Sequence, residues 1–192
     1  MGLLRLARSR RSIRRYSSEP IPLKDLEYIL EIARHAPSGA NRQPWRFLVV
    51  GDKDLKGLIR RECERAEKEF HESASPELKQ WLAEKGIDWR KPFLTEAPYL
   101  ILVFGERSQP YWLESVWISV GYMLLVAEEL GYGTLTYTPS KVEWANKLLG
   151  VPDNYRLQVI LPVGKPLEEK NPEERLSLRE ICYLNRWGAS FH

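Results

Sequence analysis

The sequence predicts a layered α+β or α/β domain, and two features of the chain support this. Short apolar runs of strand length alternate with longer segments whose apolar residues recur at helical spacing. The chain has 192 residues, of which 43% are apolar, so it is long and apolar enough to bury a sizeable core. We therefore expect one domain over residues 1–192, without internal repeats.

The N-terminal quarter is predicted to contain two helices followed by a strand. The first helix ends near Arg10, and the second covers residues 22–36, where leucine, isoleucine and alanine recur at helical spacing. Proline, serine and glycine at 37–39 end that helix. The run 45–50 is apolar and partly β-branched, as buried strands are. The loop before it therefore joins a helix to a sheet.

The middle of the chain is first charged and then strongly apolar. Residues 53–71 have the pattern of a charged helix, whereas 72–94 are polar, poorly periodic and interrupted by proline and glycine. We expect an active-site lid at about 66–94. A second strand is predicted at 99–104, and a long helix at 111–130. That helix is apolar nearly all round, so it must be buried on several sides.

The last third of the chain completes the sheet. Residues 134–138 are predicted to form a third strand, 140–149 a short helix and 157–163 a fourth strand. The C-terminal tail has the large apolar side chains Trp187 and Phe191. Together with the apolar helix before it, this tail exposes more apolar surface than one subunit covers, which predicts a homodimer.

Positive charge is concentrated at the N-terminus. The net charge of +3 gives little overall attraction to nucleic acid or membrane, but six arginines lie in the first fifteen residues. The string SRRSIRRY places Arg10, Arg11, Ser12 and Arg14 within five positions. Guanidinium groups match phosphate oxygens, and a hydroxyl adds an uncharged donor. The string predicts a phosphate site; a solvated basic tail and a nucleic-acid-binding arm are the alternatives.

The spacing of cysteine and histidine predicts neither disulfides nor a metal site. Cys63 and Cys182 lie far apart, without a CxxC motif, which favours a reducing cytoplasm as the location. His35, His71 and His192 have no spacing typical of metal ligands.

No side chains are arranged for catalysis by themselves. The sequence has no GxGxxG loop, no Walker loop and no GxSxG motif. The most apolar stretch, near 116–130, is too short to span a membrane, so we expect no membrane partner. An enzyme without such groups usually takes its chemistry from a cofactor, which the protein binds and orients.

Four blocks of the sequence together resemble the nitroreductase-like family of FMN enzymes. They are SRRSIRRY at 9–16, APSGANRQPWRFLVV at 36–50, LGYGTLTYTP at 130–139 and LPVGKP at 161–166. The resemblance implies a three-layer fold, with a mixed β-sheet flanked by helices. It also implies an intertwined homodimer with FMN at the subunit interface, and no nucleic-acid partner.

The same resemblance assigns roles to individual residues of this chain. The FMN phosphate and ribityl chain would be bound by Arg10, Arg11, Ser12, Arg14 and Arg175. The isoalloxazine ring would be approached from the partner subunit by Pro37, Ser38 and Gly39, with further polar contacts to the cofactor from Asn41, Gln43, Thr136 and Thr138.

Within the family, TLTYTP and LPVGKP resemble the iodotyrosine deiodinase-like branch. By that resemblance Thr138 would donate to flavin N5 and favour one-electron steps; otherwise it is only a strand residue. The branch holds the amino-acid head group of its substrate with a glutamate, a tyrosine and a lysine. Glu67 and Lys91 match two of these, unless they are ordinary solvated charges, and Phe70 or His71 stands where the tyrosine is expected.

Three hypotheses, and one further function that shares the fold, follow from these patterns and from the resemblance. The first hypothesis is an FMN oxidoreductase that takes electrons from NADH or NADPH and reduces a small aromatic acceptor, such as a nitroaromatic or quinone, by a ping-pong mechanism. The second is a reductive dehalogenase of halotyrosines or halophenols that uses a flavin semiquinone; a flavin-destroying enzyme that makes the cobalamin base shares the fold. The third, from another class, is a non-catalytic nucleic-acid-binding protein.

Overall fold

The computed structural model describes residues 2–191, in which four strands form one sheet and eight α-helices pack around it. The strands are β1 (Trp45–Val50), β2 (Tyr99–Glu106), β3 (Gly133–Thr134) and β4 (Tyr155–Gly164). The helices are α1 (Leu3–Ser9), α2 (Leu23–Arg34), α3 (Lys53–Ser73), α4 (Pro76–Glu84), α5 (Phe93–Glu96), α6 (Trp112–Glu129), α7 (Trp144–Leu149) and α8 (Leu178–Ile181). Within these residues, no helix is both long enough and apolar enough to cross a membrane.

The sheet is antiparallel along its strands and has the order β1-β2-β4-β3. A parallel bridge joins Ser12 to Thr134 of the edge strand β3, so the arginine-rich segment lies against that edge of the sheet. Helices and an antiparallel sheet confirm the predicted α+β class.

Both faces of the central strand β2 are covered. Successive side chains of a strand point to opposite faces, and Leu100, Leu102 and Phe104 enter one core cluster while Ile101 and Val103 enter the other. The first cluster receives side chains from α3, α5 and α7, and the second from α2 and α6. Helices on both faces of one sheet give the three layers that the resemblance implies.

Within a single chain, one face of helix α6 is buried and the opposite face is exposed. Its buried positions include Val116, Val120 and Met123. The other side leaves Leu113, Trp117 and Ile118 about 40% exposed, although all three are large and apolar. Within one chain the sheet and the helices α1 and α2 cover α6, whereas the strip with Leu113, Trp117 and Ile118 stays open.

Several elements differ from the sequence prediction, including the short helices α5 and α8, which were not predicted. Helix α4 lies inside the segment expected to be irregular; Ser75 caps it and Pro76 occupies its first turn, but only Leu82 is buried, so it has little apolar periodicity. The predicted third strand over 134–138 is paired continuously only at Gly133–Thr134. After Thr134 the chain leaves the sheet and pairs with β4 again only at an isolated bridge between Tyr137 and Ile160. Packing against neighbouring segments overrides local strand propensity here.

Close approach of the arginine-rich segment depends on Gly133. The Ile13 N–H donates to the Thr134 carbonyl at 2.9 Å, and a Cβ added at Gly133 would lie 2.9 Å from the Ile13 Cβ.

We predict that Gly133→Ala destabilises the fold by about 1–3 kcal/mol through overpacking. Gly57→Ala is the control: a Cβ there, within α3, would meet only the Arg61 guanidinium at 4.0 Å, so we expect a gain of up to about 1 kcal/mol. Urea unfolding at one protein concentration measures both, and equal stability of the two variants would contradict the prediction.

Candidate active site

The backbone of the arginine-rich segment is fixed on two sides. Ile13 donates to Thr134 as described above, and the Leu167 N–H donates to the Arg15 carbonyl at 3.0 Å. The segment therefore runs between the end of β3 and the chain that follows β4. Its arginine side chains project from an anchored backbone rather than from a loose tail.

Positive charges converge beside this segment. Burial lowers the pKa of Arg10; the carboxylate of Glu128 opposes that shift, and the positive charges of Arg11 and Arg175 add to it. Among residues 2–191, no carboxylate lies within salt-bridge distance of Arg10, Arg11 or Arg14. Glu173 lies 3.7 Å from Arg175, but within the described residues the other three guanidinium groups have no carboxylate in direct contact, and guanidinium groups brought together in this way are suited to bind an anion.

The loop after α2 is held in a strained conformation. Ala40, Asn41 and Gln43 have φ angles of 49°, 53° and 47°, in the left-handed region that non-glycine residues enter at a cost of roughly 1–3 kcal/mol each. Two serine hydroxyls support the loop: the Ser38 Oγ accepts from the Gln43 N–H at 3.0 Å, and the Ser115 Oγ accepts from the Gly39 N–H at 3.2 Å. Such strain is typical of segments shaped to bind a ligand.

One chain places this loop and the arginine cluster far apart. The loop leads into Trp45 on the edge strand β1, which pairs with Gly105 of β2. On the other edge strand, β3, Thr134 pairs with Val163 of β4, and Val163 pairs in turn with Tyr99 of β2. Standard sheet spacings then separate the two by roughly 14 Å across the strands and roughly 20 Å along them. A single subunit does not unite these two groups of predicted cofactor-binding residues.

Glu67 and Lys91 are brought together and buried. Their exposures are 8% and 7%, and the Lys91 Nζ lies 3.9 Å from the Glu67 Oε2. The other carboxylate oxygen, Oε1, accepts from the Tyr137 hydroxyl and from the Ser140 N–H, both at 3.0 Å. Burial lowers the pKa of Lys91, and the negative charge of Glu67 opposes that shift. The alternative that these two residues are ordinary solvated charges is wrong.

The segment predicted to contact the flavin passes directly beside this ion pair. Tyr137 exchanges two backbone hydrogen bonds with Ile160, at 3.1 and 2.8 Å, which fixes its neighbours Thr136 and Thr138. Thr138 is exposed. Burial lowers the pKa of Lys91, the carboxylates of Glu67 and Asp88 oppose that shift, and the positive charge of Arg14 adds to it. The predicted phosphate, flavin and substrate residues of one chain thus share an edge of the sheet.

Sequence reasoning missed the contribution of Tyr137 and Ser140. A signal was present, because side chains alternate along an extended segment and a tyrosine between two outward threonines is directed to the core. The residues near the expected tyrosine of α3, Phe70 and His71, instead contact each other edge to face, with ring centroids 5.9 Å apart.

Residues 2–191 contain no group of three or more histidine, cysteine, aspartate or glutamate side chains able to hold a metal ion. His192 lies outside the described residues. Cys63 and Cys182 are free thiols, and Cys63 is buried.

The sequence model of the nitroreductase family matches residues 7–165. The chain belongs to that family. It is 56% identical over 165 residues to an iodotyrosine deiodinase of Thermotoga neapolitana, covering 86% of this chain and 89% of the relative. It is 41% identical over 173 residues to an iodotyrosine deiodinase of Haliscomenobacter hydrossis, covering 83% of this chain and 77% of the relative.

Solved structures agree with this family assignment. The chain matches a crystal structure of oxidised iodotyrosine deiodinase bound to FMN and 3-iodo-L-tyrosine with a TM-score of 0.89 and 50% identity, covering 98% of this chain and all of that one. A BluB-like flavoprotein from Clostridium difficile 630 shares the fold, with a TM-score of 0.82 at 21% identity over 97% of this chain and 100% of the other. The family fold implied by the sequence is confirmed.

Proposed function

We propose that this nitroreductase-family enzyme is an FMN-dependent reductive dehalogenase of halogenated tyrosines. The observation that supports it most strongly is the buried ion pair between Glu67 and Lys91, beside the segment predicted to contact the flavin. Similarity to iodotyrosine deiodinases at 56% and 41% identity points the same way. These findings favour the second hypothesis drawn from the sequence over the first, reduction of a general aromatic acceptor.

Charge complementarity distinguishes the two kinds of substrate. A free amino acid has one ammonium and one carboxylate, so its head group can pair with the Glu67 carboxylate and the Lys91 ammonium at once. A nitroaromatic or a quinone offers neither charge. Burying two ions costs several kcal/mol each, which is about as much as the attraction between them recovers. A buried ion pair therefore adds no affinity to a site whose substrates are uncharged rings.

The residues of the anion site fit FMN. A phosphate dianion would neutralise the guanidinium groups of Arg10, Arg11 and Arg175, with Arg14 and Ser12 as further donors. Bound FMN would supply two electrons; with one proton they replace the carbon–halogen bond by a carbon–hydrogen bond and release halide. NADH or NADPH is the proposed source of those electrons.

We also propose that two chains share each site. The strained loop with Pro37, Ser38 and Gly39 lies across the sheet from the arginine cluster of its own chain, so a partner's loop is needed to complete the site. Residues 66–94, which include both Glu67 and Lys91, would close over the bound substrate as a lid of the single domain at 1–192.

The first prediction tests the reaction and the proposed role of Thr138. With dithionite as reductant, the wild-type protein should release iodide from 3-iodotyrosine. Thr138→Val keeps the β-branched shape and removes the hydroxyl donor, so its iodide release should fall roughly ten-fold or more, since the proposed hydrogen bond to the flavin is worth about 1–3 kcal/mol. Reduction of a nitroaromatic by NADH, measured on the same preparations, should fall less. No iodide release by wild type would contradict the proposed function.

The second prediction concerns the phosphate site. Arg14→Ala should weaken FMN binding by about 1.5–3 kcal/mol, or roughly ten-fold or more, because a charge-assisted contact is lost. Arg15→Ala is the matched control: it removes the same charge from the adjacent residue, and we expect little change in affinity. Fluorescence titration of the apoprotein with FMN gives both dissociation constants. Equal effects of the two substitutions would mean that only net charge matters.

The third prediction concerns assembly. Light scattering should give a mass near twice the 22.4 kDa of one chain. Trp117→Glu, on the exposed side of α6, should produce monomers that retain little FMN, because a charge is placed in an apolar interface. Trp81→Glu, at a similarly exposed tryptophan of α4, should leave the dimer intact. A wild-type monomer that holds FMN at micromolar concentration would disprove the shared site.

A further inference from the structure

Tyr137 connects the cofactor-facing segment to the buried ion pair. Its side chain is 8% exposed, and its hydroxyl donates to the Glu67 Oε1 at 3.0 Å. Its ring packs edge to face on Phe93, with centroids 5.3 Å apart, and its backbone is bonded to Ile160 in both directions. Both the ring and the hydroxyl of Tyr137 are therefore fixed in position.

The two oxygens of Glu67 have different partners. Oε1 accepts from the Tyr137 hydroxyl and the Ser140 N–H, whereas Oε2 faces the Lys91 ammonium. The terminal torsion of a glutamate is soft, so a carboxylate without such donors can rotate. With Oε1 held by two donors, Oε2 is the oxygen left to meet a cation that enters beside Lys91.

Tyr137 is suited to be a permanent donor. Burial raises the pKa of its phenol, and the neighbouring Cys63 and Glu67 raise it further, so the hydroxyl is a hydrogen-bond donor at neutral pH. Within the described residues, the side-chain donors to Glu67 do not include Phe70 or His71, which lie one turn beyond it on α3 and contact each other edge to face.

We propose that Tyr137 is a positioning residue that confers specificity for the amino-acid head group, by orienting Oε2 of Glu67 toward the ammonium of the substrate. The hydroxyl that supports this head-group site thus comes from the sheet edge rather than from α3. The inference rests on the proposed halotyrosine function. It predicts that the Tyr137 hydroxyl affects ligands with an ammonium and leaves ligands without one unaffected.

The test compares two ligands on FMN-loaded protein. 3-Iodotyrosine has the head group, and 2-iodophenol keeps the halogenated ring without it. In Tyr137→Phe the ring still packs on Phe93, and we expect the dissociation constant of 3-iodotyrosine to rise roughly ten-fold, the size of a lost hydrogen bond to a charged group. The constant for 2-iodophenol should change less than about two-fold. Both constants are measured by calorimetry, which does not depend on turnover.

Control variants separate the hydroxyl from general packing. Tyr137→Met also removes the hydroxyl, with a smaller and more flexible apolar side chain in place of the ring, and should give the same loss of selectivity. Phe93→Leu alters the ring that packs on Tyr137 and leaves the hydroxyl in place, so the ratio of the two dissociation constants should stay unchanged. If Glu67→Gln already weakens 3-iodotyrosine, adding Tyr137→Phe should cost much less than it does alone, because both changes remove one interaction.

The outcomes distinguish the inference from the function beneath it. If wild type binds 3-iodotyrosine and Tyr137→Phe binds it equally well, or weakens both ligands alike, the positioning role is wrong and the proposed function stands. If wild type binds 3-iodotyrosine no better than 2-iodophenol, the proposed function fails and the inference fails with it. Selectivity lost in both Tyr137 variants and retained in Phe93→Leu supports the proposal.

Discussion

Burial of Glu67 together with Lys91 is the constraint around which this edge of the molecule is organised. Removing two ions from water costs on the order of several kcal/mol each, and the cost is met only if every charged atom finds partners. The Tyr137 hydroxyl and the Ser140 N–H satisfy one oxygen of Glu67, and backbone and charge contacts surround Lys91. These contacts join α3, the segment before α5 and the chain after β3.

Much of the fold could be predicted from the sequence, because its strongest signals are local. The runs that form β1, β2 and β4 and the periodicity of α2, α3 and α6 matched the structure closely. Helix α4 was missed because it buries little, although Ser75 and Pro76 marked its start. The observed strand β3 is shorter than the strand predicted at 134–138, because strand pairing depends on neighbouring segments as well as on local strand propensity.

The candidate site was harder to predict, since local sequence patterns do not determine which side chains are buried or how far apart they lie. Sequence similarity pointed to Glu67 and Lys91 but left open whether they were solvated. Their contact, and the part that Tyr137 plays in it, depend on packing between segments far apart in the chain. The separation of the loop at 37–39 from the arginine cluster likewise follows only from strand order and register. That separation makes the proposed site a property of two chains.

The central claim is that the buried ion pair recognises both charges of an amino-acid head group, and ligand analogues test it most directly. Calorimetry on FMN-loaded wild type would compare 3-iodotyrosine with 3-iodotyramine, which lacks the carboxylate, and with the corresponding iodophenylpropanoate, which lacks the ammonium. Leaving one buried charge unpaired costs about 2–5 kcal/mol, so each analogue should bind at least about thirty-fold more weakly. Equal affinity for all three ligands would contradict the account.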